Sequence, residues 1–225
     1  MLCAVIPTLN SHNHLPLLLQ QLAEHVDRIV VSDGGSSDAT LARAVENGAV
    51  LSLGERGRGG QLARGARWSH QAEWLLFVHC DCQLPENWPS LVAQHIQKYP
   101  NKVGYFRYGA DSHRFGARFM EFLVGLRCFW LKLPYGDQGL LISRQMYDEA
   151  GGYKTLSLFE DVEFIRRLRK TYGRSVLRCL PGLMKTDIAA YEREGIWRRG
   201  VRNIKLIFAY NRGEDVAALA EIYRR

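Results

Sequence analysis

Cysteine is scarce in this chain and does not pair up: Cys3, Cys80, Cys82, Cys128 and Cys179 are an odd, scattered set of five. That pattern excludes a disulfide framework, which small secreted domains build from even, closely spaced sets. It also disfavours structural zinc, because Cys80-x-Cys82 has no second pair nearby to complete four ligands. Long uncharged apolar runs are missing as well. The longest apolar stretch, 115–133, contains Arg118, Glu121, Arg127 and Lys132, too many charges for a spanning helix. An apolar strand begins at Leu2 with no basic leader before it, so no secretion signal is expected and the expected location is cytoplasmic. Neither an internal repeat nor a low-complexity tract occurs.

What is present is enough apolar material for a core: 225 residues, 47% hydrophobic. That size predicts one domain over 1–190 with a C-terminal extension over 191–225. The formal net charge of +7 calls for an anionic partner without choosing among nucleotide, nucleic acid and membrane.

Strands and helices alternate along the first half. Residues 2–7 read as a strand, Thr8-Leu9-Asn10 as a turn and 15–26 as an amphipathic helix. The strand over 28–32 runs into Asp33-Gly34-Gly35-Ser36-Ser37-Asp38, where glycines permit tight turns and Asp38 can cap a helix through 47. A third strand over 49–53 leads to Gly54-Glu55-Arg56-Gly57-Arg58-Gly59-Gly60-Gln61. This loop carries two guanidiniums and opens a helix through about 68, an arrangement suited to an anion.

The fourth strand, Leu75-Leu76-Phe77-Val78-His79-Cys80-Asp81-Cys82, is apolar until it meets metal-capable side chains. If extension persists to 82, His79 and Asp81 share one side and Cys80 and Cys82 the other. At the carboxyl end of a parallel strand this pair suits a metal-diphosphate site; the alternative is an Asp capping the helix after Pro85, beside a half-buried His. The alternation predicts an α/β fold with a doubly wound, mostly parallel sheet.

The second half is less regular. It reads as a helix over 87–99, a strand over 102–108 and a long helix over 114–131 with aromatic residues on its apolar face. The loop Pro134-Tyr135-Gly136-Asp137-Gln138-Gly139 leads into a strand over 140–143, and Glu160-Asp161 starts a helix to about 172. Residues 196–209 form a basic amphipathic helix with Arg198, Arg199, Arg202 and Lys205. Such a helix either lies on an anionic membrane or packs on the domain with solvated arginines.

Taken in order, five stretches resemble the glycosyltransferase family 2 enzymes with a GT-A fold. Val5-Ile6-Pro7-Thr8-Leu9-Asn10 is similar to the family's opening strand, and Val31-Ser32-Asp33-Gly34-Gly35-Ser36-Ser37-Asp38 to its nucleoside loop. His79-Cys80-Asp81 stands at the DxD position, Gly136-Asp137-Gln138-Gly139 resembles the acceptor-side loop, and Glu160-Asp161-Val162-Glu163 the ED motif. The loop at 55–61 is closest to a small bacterial subgroup with His-x-Asp in place of DxD.

The resemblance implies a GT-A type Rossmann-like, mostly parallel sheet flanked by helices. It implies a nucleotide-binding half over 1–108 and an acceptor-binding half over 109–190. Pro7, Thr8, Asn10, Asp33, Arg56, Arg58, Gln61 and Cys80 would serve the nucleotide-sugar donor, UDP-linked by expectation. Asp81 would hold Mg²⁺ or Mn²⁺ with His79 near the metal or the phosphates. Asp161 would be the general base of an inverting transfer to an acceptor hydroxyl, with Asp137 and Glu160 as the other candidates. The acceptor, a glycan, lipid or small molecule, is left open, as is the oligomeric state.

Two other readings compete. A sugar-phosphate nucleotidyltransferase should carry a Gly-rich loop directly after its first strand, where this chain has Pro7-Thr8-Leu9-Asn10. A nucleic-acid or membrane-surface binding module leaves Asp81, Asp137 and Asp161 unexplained, because carboxylates repel phosphates. No nucleic-acid partner is expected.

Overall fold

The computed structural model describes residues 1–224. Its first half runs β1 (Leu2–Thr8), α1 (Leu15–Ala23), β2 (Arg28–Asp33), α2 (Thr40–Glu46), β3 (Val50–Leu53), α3 (Arg58–Trp68) and β4 (Trp74–Phe77). Then follow β5 (Cys82–Gln83), α4 (Trp88–Lys98), β6 (Val103–Ala110), α5 (Phe115–Leu126), β7 (Leu140–Ser143) and α6 (Arg144–Glu149). The chain continues through α7 (Glu160–Tyr172), β8 (Leu177–Thr186), α8 (Ala189–Glu194), α9 (Ile196–Asn211) and α10 (Val216–Arg224).

Alternate side chains of β1 and β4 enter two cores on opposite faces of one sheet. Cys3, Val5, Leu75 and Phe77 pack with Leu62 and Ala66 of α3 and Phe164 and Leu168 of α7. Ala4, Ile6 and Leu76 pack with Leu15, Leu18 and Leu22 of α1 and Val92 of α4. Burial on both faces is why these strands read as unbroken apolar runs. Each such side chain contributes about 1.5–3 kcal/mol.

The eight strands lie in the order β3-β2-β1-β4-β7-β6-β8-β5. The first four are parallel, β7 runs antiparallel to both neighbours, β8 is parallel to β6, and β5 is antiparallel to β8. The sheet is therefore mostly parallel, as expected. From β1 the chain winds outward to β2 and β3, then returns through α3 to β4 on the other side of β1. The direction of winding reverses between β1 and β4, and a crevice opens beyond their carboxyl ends.

Three details differ from expectation. The fourth strand stops at Phe77, and a turn closed by Cys82 N–H donating to His79 O (3.1 Å) redirects the chain to β5. The expected alternation therefore fails: Cys80 Sγ reaches Ser11 Oγ (3.1 Å), while Cys82 Sγ lies 3.5 Å from Thr186 Oγ1. Strand β8 is not among the elements expected from the sequence, and it carries Pro181-Gly182. Its register jumps from Phe106↔Leu180 to Arg107↔Leu183, so the dipeptide is a bulge that lets the strand continue. Gly182 is required there, since a Cβ would stand 2.6 Å from Pro85 Cγ.

The third difference is the aromatic face of α5. Its inward positions are Ala117, Met120 and Val124, followed by Cys128 in the π-helical turn Arg127–Leu131. Phe115, Phe122, Phe129 and Trp130 point to solvent. At the C-terminal end, Leu206, Leu219 and Ala220 of α9 and α10 pack on Leu158, Phe159 and Val162 beside the start of α7. Of the extension expected over 191–225, Arg225 lies outside the described residues. Among the described residues no helix is long and apolar enough to cross a membrane.

Candidate active site

The ends of β1 and β2 form a closed hydrogen-bonded frame. The buried Asp33 carboxylate accepts Gly35 N–H (2.8 Å) and Ser36 N–H (2.7 Å) on Oδ1, and Thr8 Oγ1–H (2.9 Å) and Ser36 Oγ–H (2.5 Å) on Oδ2. A carboxylate offers about four acceptor positions, so these four bonds occupy it. Asn10 takes a left-handed backbone (φ 50), which Asn tolerates, and its Oδ1 accepts Ser37 N–H at 2.9 Å. The β1 and β2 loops are thereby braced to each other.

Gln61 is committed in the same way. Its amide donates to Thr8 O (2.7 Å) and Ser32 O (2.9 Å), and its Oε1 accepts Gly57 N–H (3.3 Å). It ties α3 to both strand ends, with both amide hydrogens committed within the protein. Asp33, expected as a nucleoside acceptor, is likewise occupied by bonds within its own loop. Pro7 and Thr8 are buried behind the loop. Cys80 is bonded to Ser11, and burial pushes its thiol up to about 12, so it stays protonated and inert.

Of the two guanidiniums expected to meet a diphosphate, one is spent and one is free. Arg58 donates through Nε to Glu160, whose side chain is fully buried. Burial opposes the Arg58 charge, but Glu160 and Asp161 outweigh it and hold the group firmly protonated. Burial likewise pushes the Glu160 carboxyl up, against the pull of Arg58. Glu160, expected among the candidate bases, and Arg58, expected at the diphosphate, are thus paired with each other. Arg56 is exposed and, among the described residues, has no hydrogen-bond or ion-pair partner.

The chemically open groups gather around Gly136. Its N–H donates to Asp161 Oδ2 (2.8 Å), and Asp161 Oδ1 accepts Val162 N–H (2.7 Å) at the start of α7. A Cβ on Gly136 would stand 2.5 Å from His79 Nε2 and 3.5 Å from Asp161 Oδ2, so only glycine leaves room for both the imidazole and the carboxylate to close on this position. Burial, reinforced by Arg58, holds His79 down to about 4, against Asp81 and Asp161, and the imidazole is neutral. The next residue, Asp137, has a buried Oδ1 with no partner among the described residues. Burial raises its carboxyl to about 6; Asp161 and Asp81 act in the same direction, and Arg127 and Arg58 oppose it.

Arg127 is a site residue that the sequence did not disclose. Its guanidinium lies 3.6 Å above the Tyr135 ring and donates to Gln138 Oε1 (3.2 Å), which brings a positive charge against Asp137. Thr186 Oγ1, donating to Asp137 O (3.1 Å), was missed with its strand. Neither residue sits in a readable motif. Beside Asp81, a cleft of about 310 Å³ is lined by Asn13, His14, Cys80, Lys185 and Asp187 among others. It lies on the α1 side and none of Asp137, Asp161 and Arg56 lines it.

Among the described residues, no three His, Cys, Asp or Glu side chains come close enough to hold a metal ion by themselves. Asp81 and the neutral His79 are two suitable donors. Mg²⁺ characteristically takes one or two carboxylates and completes its shell with water and phosphate oxygens. The residues therefore fit an ion shared with a diphosphate and do not fit a free-standing metal centre.

The sequence profile of glycosyl transferase family 2 matches residues 3–159. The chain belongs to glycosyl transferase family 2. Among solved structures, this family 2 glycosyltransferase is similar to one described as a mycobacterial protein, with TM-score 0.59 and 17% identity over 84% of this chain and 65% of that one. It is also similar to glucosyl-3-phosphoglycerate synthase from Mycobacterium tuberculosis, in complex with Mn²⁺, UDP-glucose and phosphoglyceric acid. There the TM-score is 0.58 and identity 18%, over 84% of this chain and 70% of that one. The same synthase with Mn²⁺, UDP-glucose and glycerol 3-phosphate gives TM-score 0.59 and 16% identity over 91% of this chain and 78% of that one. At these identities the likeness establishes the fold, a GT-A sheet. No curated protein sequence matches the chain.

Proposed function

We propose that this family 2 glycosyltransferase moves a sugar from a UDP-linked donor to an acceptor hydroxyl, with inversion at the anomeric carbon. The observation that carries the reading is the meeting of His79, Gly136 and Asp161 beyond the β1/β4 switch point, beside Asp81 and Asp137. In this reading residues 1–108 bind the nucleotide, 109–190 the acceptor, and 191–225 form an extension.

The braced loops around Asp33 and Asn10 present a rigid edge to the nucleoside, and Arg56 supplies a guanidinium to the diphosphate. Asp81, with His79 beside it, would hold Mg²⁺ or Mn²⁺, which when bound neutralises charge on the departing diphosphate. Asp161 takes the proton from the acceptor hydroxyl as its oxygen bonds to the anomeric carbon and the bond to the diphosphate breaks. The two amide bonds to Asp161 fix the carboxylate while leaving lone pairs for that proton. A second reading makes Asp137 the base, and its unpartnered Oδ1 and raised pKa favour it.

A panel of nucleotide sugars, scored by release of the nucleoside diphosphate with and without Mn²⁺, tests the reading. UDP release from one donor, stimulated by an added acceptor, is expected. No release from any donor by folded protein, across hydroxyl acceptors of several classes, contradicts it.

A further inference from the structure

Among the described residues, eleven of the eighteen exposed large apolar side chains lie on α5, the π-helical turn after it, and α9. On α5 and the turn, Phe115, Phe122, Leu126 and Phe129 recur at intervals that keep them on one helical face. On α9, Trp197, Val201, Ile204 and Phe208 form a second stripe with the same spacing. The stripes join, because Phe119 packs on Trp197 with ring centroids 5.2 Å apart. Trp130, 67% exposed, extends the face on the π-helical turn, where Arg174 bonds its carbonyl.

The charges on α9 are sorted around this face. Arg199 and Arg202 turn inward and each bonds Glu194 at 2.6 Å, so they are engaged within the protein, unlike either alternative left open by the sequence. Arg198 and Lys205 stand exposed beside the aromatic stripe and, among the described residues, have no ion-pair partner. Arg114, at the start of α5, is 72% exposed but already paired with Glu192 at 3.6 Å. An apolar face larger than single scattered residues marks a contact surface. Its basic border argues against a second copy of the chain, which would set cation against cation across a two-fold axis.

We propose that the joined face of α5, the π-helical turn and α9 seats the enzyme on an anionic lipid bilayer, with the aromatics at headgroup depth and Arg198 and Lys205 against lipid phosphates. Aromatic and aliphatic side chains on helices that lie flat, flanked by cations, suit that interface. The π-helical turn that carries part of this face also carries Arg127, which packs on Tyr135 and bonds Gln138 in the loop holding Gly136 and Asp137, so the seated enzyme meets acceptors at the membrane. The docking itself does not depend on the donor assignment.

Co-sedimentation of the full chain with phosphatidylcholine vesicles, with and without phosphatidylglycerol, tests this. Wild type should pellet with the anionic vesicles at least several-fold more than with the neutral ones. Arg198→Glu/Lys205→Glu should weaken partitioning by roughly tenfold or more. Trp130→Ser/Trp197→Ser should weaken it on both vesicle types, with melting temperatures unchanged. If either variant melts early, quenching of wild-type tryptophan fluorescence by brominated phosphatidylglycerol vesicles decides in its place. Equal pelleting of wild type and folded variants, absence of pelleting and quenching, or a concentration-dependent dimer dissolved by the tryptophan substitutions overturns the proposal.

Discussion

The two halves of the molecule differ in how they spend their polar groups. Between β1 and β4, most groups at the strand ends are spent on one another: Asp33 accepts four bonds, Gln61 uses its carbonyl and amide, and Thr8, Asn10 and Cys80 are each tied to a neighbour, while the Ser32 and Ser52 hydroxyls stay buried without a partner among the described residues. Beyond β4, capacity is left over. Asp137 keeps an unpartnered buried oxygen, Glu160 has a second one at Oε2, and a whole helical face of aromatics meets solvent. Loops braced like those of Asp33 and Asn10 make a rigid, preformed frame, and unspent groups elsewhere can take protons, ligands or a surface. In the proposed reading, that division gives fixed donor binding and adaptable acceptor chemistry.

The largest expected effect would break the division at its chemical end. Asp161→Asn should slow sugar transfer by about 10²- to 10⁴-fold while UDP binding, read by calorimetry, stays normal. Near-normal turnover would move the base to Asp137. In the frame half, Leu76→Ala removes a fully buried side chain of β4 and should cost about 2–5 kcal/mol in a denaturant titration.

Asp137 gives the opposite sign. Its folded pKa of about 6 lies above the ordinary aspartate value, so its destabilisation is absent below about pH 4 and complete above about pH 6. Asp137→Asn should therefore stabilise the protein near neutrality by up to about 3 kcal/mol, with the gain vanishing in acid, as melting curves across pH will show. At the small end, Phe122→Ser on the outward face of α5 should change stability by no more than about 0.5 kcal/mol. A loss as large as that of Leu76→Ala would mean the face is part of the core.

Strands buried on both faces and glycine-bearing loops declare themselves locally, which is why β1 to β4 and the loop at Asp33 were legible. Partners were not. Nothing in the sequence tells that Arg58 spends itself on Glu160, 102 positions away, or that Gln61 straps two strands. Strand β8 was hidden because Pro181-Gly182 signals a turn where the sheet accommodates a bulge. For α5, periodicity shows that an apolar face exists and leaves open what covers it. The aromatics look like core, while the interior takes the smaller Ala117 and Cys128.

Asp81 and His79 are proposed to share a divalent ion with the donor's diphosphate at the switch point. Thermal unfolding with UDP, in Mn²⁺ and in chelator, for wild type and Asp81→Ala, tests it most directly. The account predicts a UDP-induced rise in melting temperature that is larger with Mn²⁺ in wild type and loses that increment in Asp81→Ala. An equal shift in Mn²⁺ and chelator, or an Mn²⁺ increment that survives Asp81→Ala, would contradict it.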